Sequence, residues 1–200
     1  MIEHEVWRGP NWKQGIKGQR IAIVGYSHHR DPKHLDNNQF TINVVRKFLS
    51  DDLARNALFP RVPGYFGYKS REDQKDFWNR VWFFNFIPKC IGEGNQKYAT
   101  ADSNLNELAK KRFEKILQKE KIQKVFVFTA KGWCNCPYTD EEKKGKCCAS
   151  LGPELRDVTW GTYTFGRRRI LAFGFHHPQY ANKVHMTEAV SKALSKKVGS

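Results

Sequence analysis

The chain reads as an α/β protein, a three-layer α/β/α domain with a mainly parallel central sheet. Three observations predict this. Strand-like and helix-like stretches alternate along the sequence. "KVFVFTA" at Lys124–Ala130 is continuously apolar, the form of a strand covered on both faces. Two hundred residues with 40% hydrophobic content can bury one sizeable core. The expected organisation is one domain over 1–200, with an N-terminal arm at 1–19 and a cysteine-containing insertion at 131–158.

Each element has a local reason. Arg20–Gly25, "RIAIVG", reads as a short buried strand ending in glycine. Gln39–Leu53 places Phe40, Val44, Val45, Phe48 and Leu49 on one helical face. Phe59–Tyr68, "FPRVPGYFGY", reads as a loop rich in proline, glycine and aromatic residues. Asp76–Ile87 holds a helical turn and then a strand, "VWFFNFI". Asp102 or Ser103 caps a helix running to about Lys121. Its apolar positions are Leu105, Leu108, Phe113, Ile116 and Leu117, and Lys110, Lys111, Arg112, Lys115 and Lys119 lie largely elsewhere on the cylinder. Thr159–Phe165 and Arg169–Phe175 flank Gly166–Arg168 and could pair as a hairpin or join the same sheet. Met186–Lys197 forms a last helix.

Ligands of open α/β sheets bind at the carboxyl ends of the strands. Gly25–Pro32, Asn85–Pro88, Ala130–Trp133 and His176–Gln179 all fall at such ends. Four clusters are therefore expected to meet on one edge.

The late cluster carries His176, His177, Pro178 and Gln179. An imidazole just past a strand can donate to a developing anion or exchange a proton near neutral pH. Pro178 restricts His177 to an extended backbone. The first cluster carries Gly25, Tyr26, Ser27, His28, His29, Arg30 and Asp31. Asp31 could orient water or stabilise a cationic sugar, and His28 or His29 could do acid–base work. Asn85 interrupts an apolar strand, and its amide offers both the donor and the acceptor that a pyrimidine edge needs. Tyr65 or Phe66 could stack on an extruded base, or these rings could equally cover the core.

Charge suggests the partner. Lys plus Arg is 35 against 20 for Asp plus Glu, a net +15. The sequence pI is about 9.7. Such an excess attracts polyanions, and phosphate neutralisation supplies most non-specific nucleic-acid affinity. Arg30, Lys131, Arg167, Arg168 and Lys183 are the candidate DNA-contacting cations. No apolar run approaches the roughly 18 residues that span a bilayer. The first twenty residues have no signal-peptide core. A cytoplasmic protein without a membrane partner is expected.

Cys134, Cys136, Cys147 and Cys148 fall within fifteen residues. Four thiolates so close could make a structural zinc site, although the spacing is not the usual C-x-x-C pair. The chain has no G-x-S-x-G elbow, Walker loop or H-E-x-x-H, which argues against an esterase, a P-loop ATPase and a zincin.

The stretches "IAIVGYSHHRDP", "GYFGY", "WFFNFIP", "KVFVFTAKGW" and "LAFGFHHPQ", taken in order, resemble the uracil-DNA glycosylase superfamily over most of Arg20–Ala181. The resemblance implies that fold, with His177 stabilising a departing base anion, Asn85 reading the base and Tyr65 or Phe66 stacking on it. The first loop departs from the family's Gly-x-Asp-Pro, since Asp31–Pro32 come late, and Gln179 replaces a serine after His-Pro. Both departures favour a modified pyrimidine over uracil. The implied enzyme is a monomeric, monofunctional DNA glycosylase that needs no cofactor for its chemistry, acting on DNA with a flipped base in repair or in defence against modified foreign DNA. Two other classes stay open: a non-catalytic nucleic-acid-binding module with a zinc knuckle, and a hydrolase of nucleosides or nucleotides.

Overall fold

A computed structural model describes residues 3–30, 35–51, 58–93 and 99–197. The fold is α/β. The large sheet is mixed, with strand order β1-β4-β2-β6-β9-β8-β7. These strands are β1 (Trp7–Arg8), β2 (Ile21–Gly25), β4 (Trp82–Asn85), β6 (Lys124–Val127), β7 (Ala149–Ser150), β8 (Thr159–Phe165) and β9 (Arg168–Gly174). The central strands β4, β2, β6 and β9 are parallel neighbours, whereas β1, β8 and β7 join by antiparallel pairing. The sheet is thus parallel at its centre and antiparallel at both margins. The two late strands, β8 and β9, pair as a hairpin within this sheet, turning at Gly166 with φ +61°. A second, two-stranded sheet pairs β3 (His28–Arg30) with β5 (Cys90–Glu93).

Alternation of side chains along the strands gives the sheet two apolar faces. Ile23, Phe83, Phe126 and Phe173 pack with α1 (Phe40–Leu49), α2 (Leu58–Tyr65), α3 (Arg71–Asn79) and α6 (Lys183–Ser195). Val24, Phe84, Val127 and Ala172 pack with α4 (Ser103–Lys119). Helices on both faces are consistent with three layers. Neither the arm nor the cysteine-containing segment stands apart: Trp7 of the arm pairs with Phe83, and Ala149 of the segment pairs with Trp160.

The caps follow the sequence at α4, where Asp102 accepts from the Leu105 amide. Three helices differ from expectation. α6 begins at Lys183, earlier than Met186, because Asn182 accepts from the Val184 and His185 amides. α3 begins at Arg71, earlier than Asp76, because Ser70 and Asp73 form a reciprocal capping box. The proline- and glycine-rich stretch expected as a loop is largely the helix α2, with Pro63 inside it. Proline has no N–H for the carbonyl four residues back. That carbonyl, of Phe59, instead accepts the Trp78 indole N–H at 3.0 Å. A neighbouring helix thus satisfies the group that proline leaves open.

Candidate functional site

Asn85 ends β4 in register with Gly25 at the end of β2. It is 5% exposed. A Cβ on Gly25 would overlap Asn85 Oδ1, so only glycine leaves the amide its place. From the opposite face Arg112 of α4 donates to the Asn85 carbonyl at 3.1 Å. Arg112 also reaches the His4 carbonyl at 2.5 Å and Glu3 at 3.1 Å. Expected on the polar side of its helix, this guanidinium is 7% exposed and fixes the backbone that carries Asn85.

Two strands separate β4 from β9, a distance of three strand spacings, about 14 Å. Phe128 and Phe175 lie at the same level of the sheet and stack at 5.0 Å. Tyr65 packs against Phe128 at 6.1 Å. These rings form an apolar floor beside the late loop.

The late loop is held by α2. Arg61 donates to the Pro178 carbonyl at 2.6 Å and to the Gln179 carbonyl at 2.9 Å. The Tyr65 hydroxyl donates to Pro178 at 3.4 Å. His177 Nδ1 accepts the Gln179 amide at 3.2 Å. A ring accepting at Nδ1 carries its proton on Nε2 when neutral. Burial, and then the nearby Arg61 cation, lower the His177 pKa, which favours that neutral form. His177 is therefore a half-buried imidazole with an Nε2–H donor. A cavity of about 500 Å³ flanks this loop, lined by cationic Arg61, Lys69 and Lys183 and by Tyr65.

The neighbouring histidine differs. His176 is exposed and meets Asp157 at 3.2 Å, a carboxylate shared with His185 at 2.9 Å.

The first loop diverges from expectation. His28 turns inward in β3, where its Nε2 meets the Thr41 hydroxyl at 2.9 Å. Its ring packs near Phe40 at 5.1 Å and His4 at 5.5 Å. Burial, with the adjacent His4, pushes its pKa down to about 3. His28 is thus a neutral packing residue and not a proton carrier near neutral pH. His29 is exposed in β3, and Ser27 is half-buried between β2 and β3. Tyr26 is half-buried, with Lys131 Nζ 4.8 Å from its ring centroid. Asp31 and the Arg30 side chain lie outside the described residues.

The proposed stacking rings are core residues. Tyr65, the last residue of α2, is 3% exposed and Phe66, in the turn that follows, 6%; both face the core. Among the candidate cations, Lys131 stands on α5 (Ala130–Asn135) and bonds Thr100 at 2.9 Å. Lys183 is exposed at the start of α6. Arg167 and Arg168 fall at the β8–β9 turn, where β9 begins, so they occupy the amino edge away from Asn85 and His177. Arg168 donates there to the α4 carbonyls of Leu117, at 2.7 Å, and Gln118, at 2.5 Å, the role of a basic C-terminal cap.

The four clustered cysteines do not form the expected ligand set. Cys134 and Cys147 are exposed, Cys148 is half-buried and Cys136 is buried. Burial raises the Cys136 thiol well above its usual range and the Cys148 thiol to about 11. Among the described residues, the one group with metal-ligand spacing is His4, Asp36 and Cys90.

Arg61, Arg112 and Thr41 were missed from the sequence. Their partners are backbone carbonyls or residues brought near only by folding, and no local motif announces such pairs. Compared with known proteins, the chain matches no family model and no curated protein.

Proposed function

We propose that the chain is a monofunctional DNA glycosylase that excises a modified or damaged pyrimidine, built as a uracil-DNA-glycosylase-like three-layer domain. One observation carries this most: Asn85 and His177 occupy the same carboxyl edge, each held by an arginine on backbone carbonyls, with an aromatic floor between. Among the described residues no hydrogen bond engages the Asn85 carboxamide. It is available to pair with a base edge.

The extruded nucleotide lies between these two groups, its unstacking costing a few kcal/mol. Cleavage of the N-glycosidic bond leaves an oxocarbenium-like sugar and an anionic base. The neutral His177 donates from Nε2 to the developing anion, and it needs no proton of its own to be lost. Water adds its oxygen to the sugar carbon and its released proton goes to the base anion, leaving an abasic site and the free base. Asp31 remains the candidate for orienting that water. The net charge of +15 supports a DNA partner. We further propose a cytoplasmic monomer. No helix among the described residues is long and apolar enough to cross a membrane.

The test is a panel of duplexes carrying natural and hypermodified cytosines and uracils, assayed for abasic sites after incubation. Base release from one or more members is expected. Tight binding to the whole panel without release would overturn the proposal in favour of a binding module, and release from free nucleosides alone would point to a nucleoside hydrolase.

A further inference from the structure

A second cluster lies among residues that the proposed chemistry does not use. His4 Nε2 meets Asp36 Oδ1 at 2.5 Å. The Cys90 backbone N–H donates to Asp36 Oδ2 at 3.1 Å. One ligand atom from each of the three side chains lies within 4.8 Å of the others. His4 is 2% exposed and the Asp36 side chain 13%, so the group is largely withdrawn from water. His4 Nδ1 is buried and meets no hydrogen-bond partner, so the fold's own hydrogen bonds leave this imidazole incompletely satisfied.

We infer that His4, Asp36 and Cys90 form a zinc-binding site. The donor set is one nitrogen, one oxygen and one sulfur. Zinc takes all three, whereas magnesium and calcium select oxygen. Three protein ligands leave the fourth tetrahedral position for water. Binding converts the Cys90 S–H to a metal-bound thiolate and releases one proton to solvent. A cation here also balances the half-buried Asp36 carboxylate. The ligands come from three separate segments: the N-terminal arm, the residues before α1, and the first residue of β5. Asp36 follows the first loop and Cys90 follows the strand that bears Asn85, so the metal ties both margins of the first cluster to the arm. This site is independent of the glycosylase proposal.

The test uses the full chain. Metal-free protein is titrated with zinc, and separately with cobalt(II), whose thiolate complex has a charge-transfer band in the near ultraviolet. One equivalent of metal per chain is expected. The cobalt band should persist in the C134S/C147S variant and vanish in Cys90→Ser. Should Cys90→Ser fail to fold, alkylation of the wild type decides the matter: zinc should protect Cys90 from iodoacetamide while Cys134 and Cys147 stay reactive. No stoichiometric binding, a band retained in Cys90→Ser or lost in C134S/C147S, or equal labelling of Cys90 with and without zinc would overturn the inference.

Discussion

Gly25 and Asn85 face each other in register on adjacent parallel strands, and the Asn85 carboxamide fills the space that a Gly25 side chain would need. Gly25→Ala forces the amide or the strand to move. The expected cost is about 1–3 kcal/mol of stability, typical of overpacking. Under the proposed function the larger effect falls on activity, because the displaced group is the base reader. Thermal unfolding and base-release rates of Gly25→Ala, measured together, check this. Wild-type rates in the variant would show that the Asn85 position does not matter.

Arg61 is expected to act as a positioning residue, through the two carbonyls of the His177 loop. Arg61→Ala should lower kcat about tenfold, equivalent to about 1.4 kcal/mol, with KM little changed. Arg61→Lys should restore only part of this: a single nitrogen, Nη1, makes both bonds, and lysine carries its ammonium on a flexible stem that does not fix that direction. Full rescue by lysine would indicate that charge alone matters.

Trp78 and Pro63 are coupled through the Phe59 carbonyl. Trp78→Phe leaves that buried oxygen without its donor and should cost about 1–3 kcal/mol. Pro63→Ala supplies a backbone N–H at the helical position and should offset part of the loss. Urea denaturation of the two single variants and the double variant measures the interaction. Strict additivity would exclude the shared carbonyl as their link.

Stability should fall in acid with a specific sign. His28 titrates at 6.5 in the absence of structure and at about 3 in the fold. Between these values the unfolded chain holds a proton that the folded chain does not. His28's contribution is therefore intact above about pH 6.5 and is lost progressively as pH falls toward about 3. His4 and His177, also lowered chiefly by burial, act in the same direction. One such proton contributes a slope of at most about 1.4 kcal/mol per pH unit. Urea denaturation between about pH 7 and 4 should give a shallower slope for His28→Asn than for the wild type. Equal slopes would contradict a buried neutral ring.

Much of the fold was legible because periodicity is local. The apolar runs gave β2, β4 and β6, and Asp102 marked the start of α4. Two strand patterns around Gly166 marked β8 and β9, and left open whether they pair as a hairpin or join the sheet; they do both. α2 was illegible because Pro63 is accommodated by a tertiary partner, Trp78, on the carbonyl it leaves open. The Ser70–Asp73 box was a readable signal that the helical expectation at Asp76 overlooked. Edge strands of two residues, β1 and β7, are too short to show any alternation.

The site was legible to a similar depth. Strand ends located Asn85 and His177, since topology carries them to one edge. The sequence offered His28 for acid–base work, yet His28 faces Thr41 in the interior while His177 faces the strand-end loop. Inward or outward orientation depends on pairing with β5 and packing against α1, neither of which is written in "GYSHHRDP". The cysteine pairs were conspicuous in sequence but are dispersed by the fold, while His4, Asp36 and Cys90 meet despite their separation along the chain.

The most direct measurement is single-turnover base release by the wild type and His177→Ala on the duplex of the panel that reacts fastest, with DNA affinity determined in parallel. A lone anion-stabilising donor is worth about 100- to 1,000-fold in rate. His177→Ala should therefore lose about that factor while binding DNA as the wild type does. Undiminished release in His177→Ala, with unchanged affinity, would contradict the account.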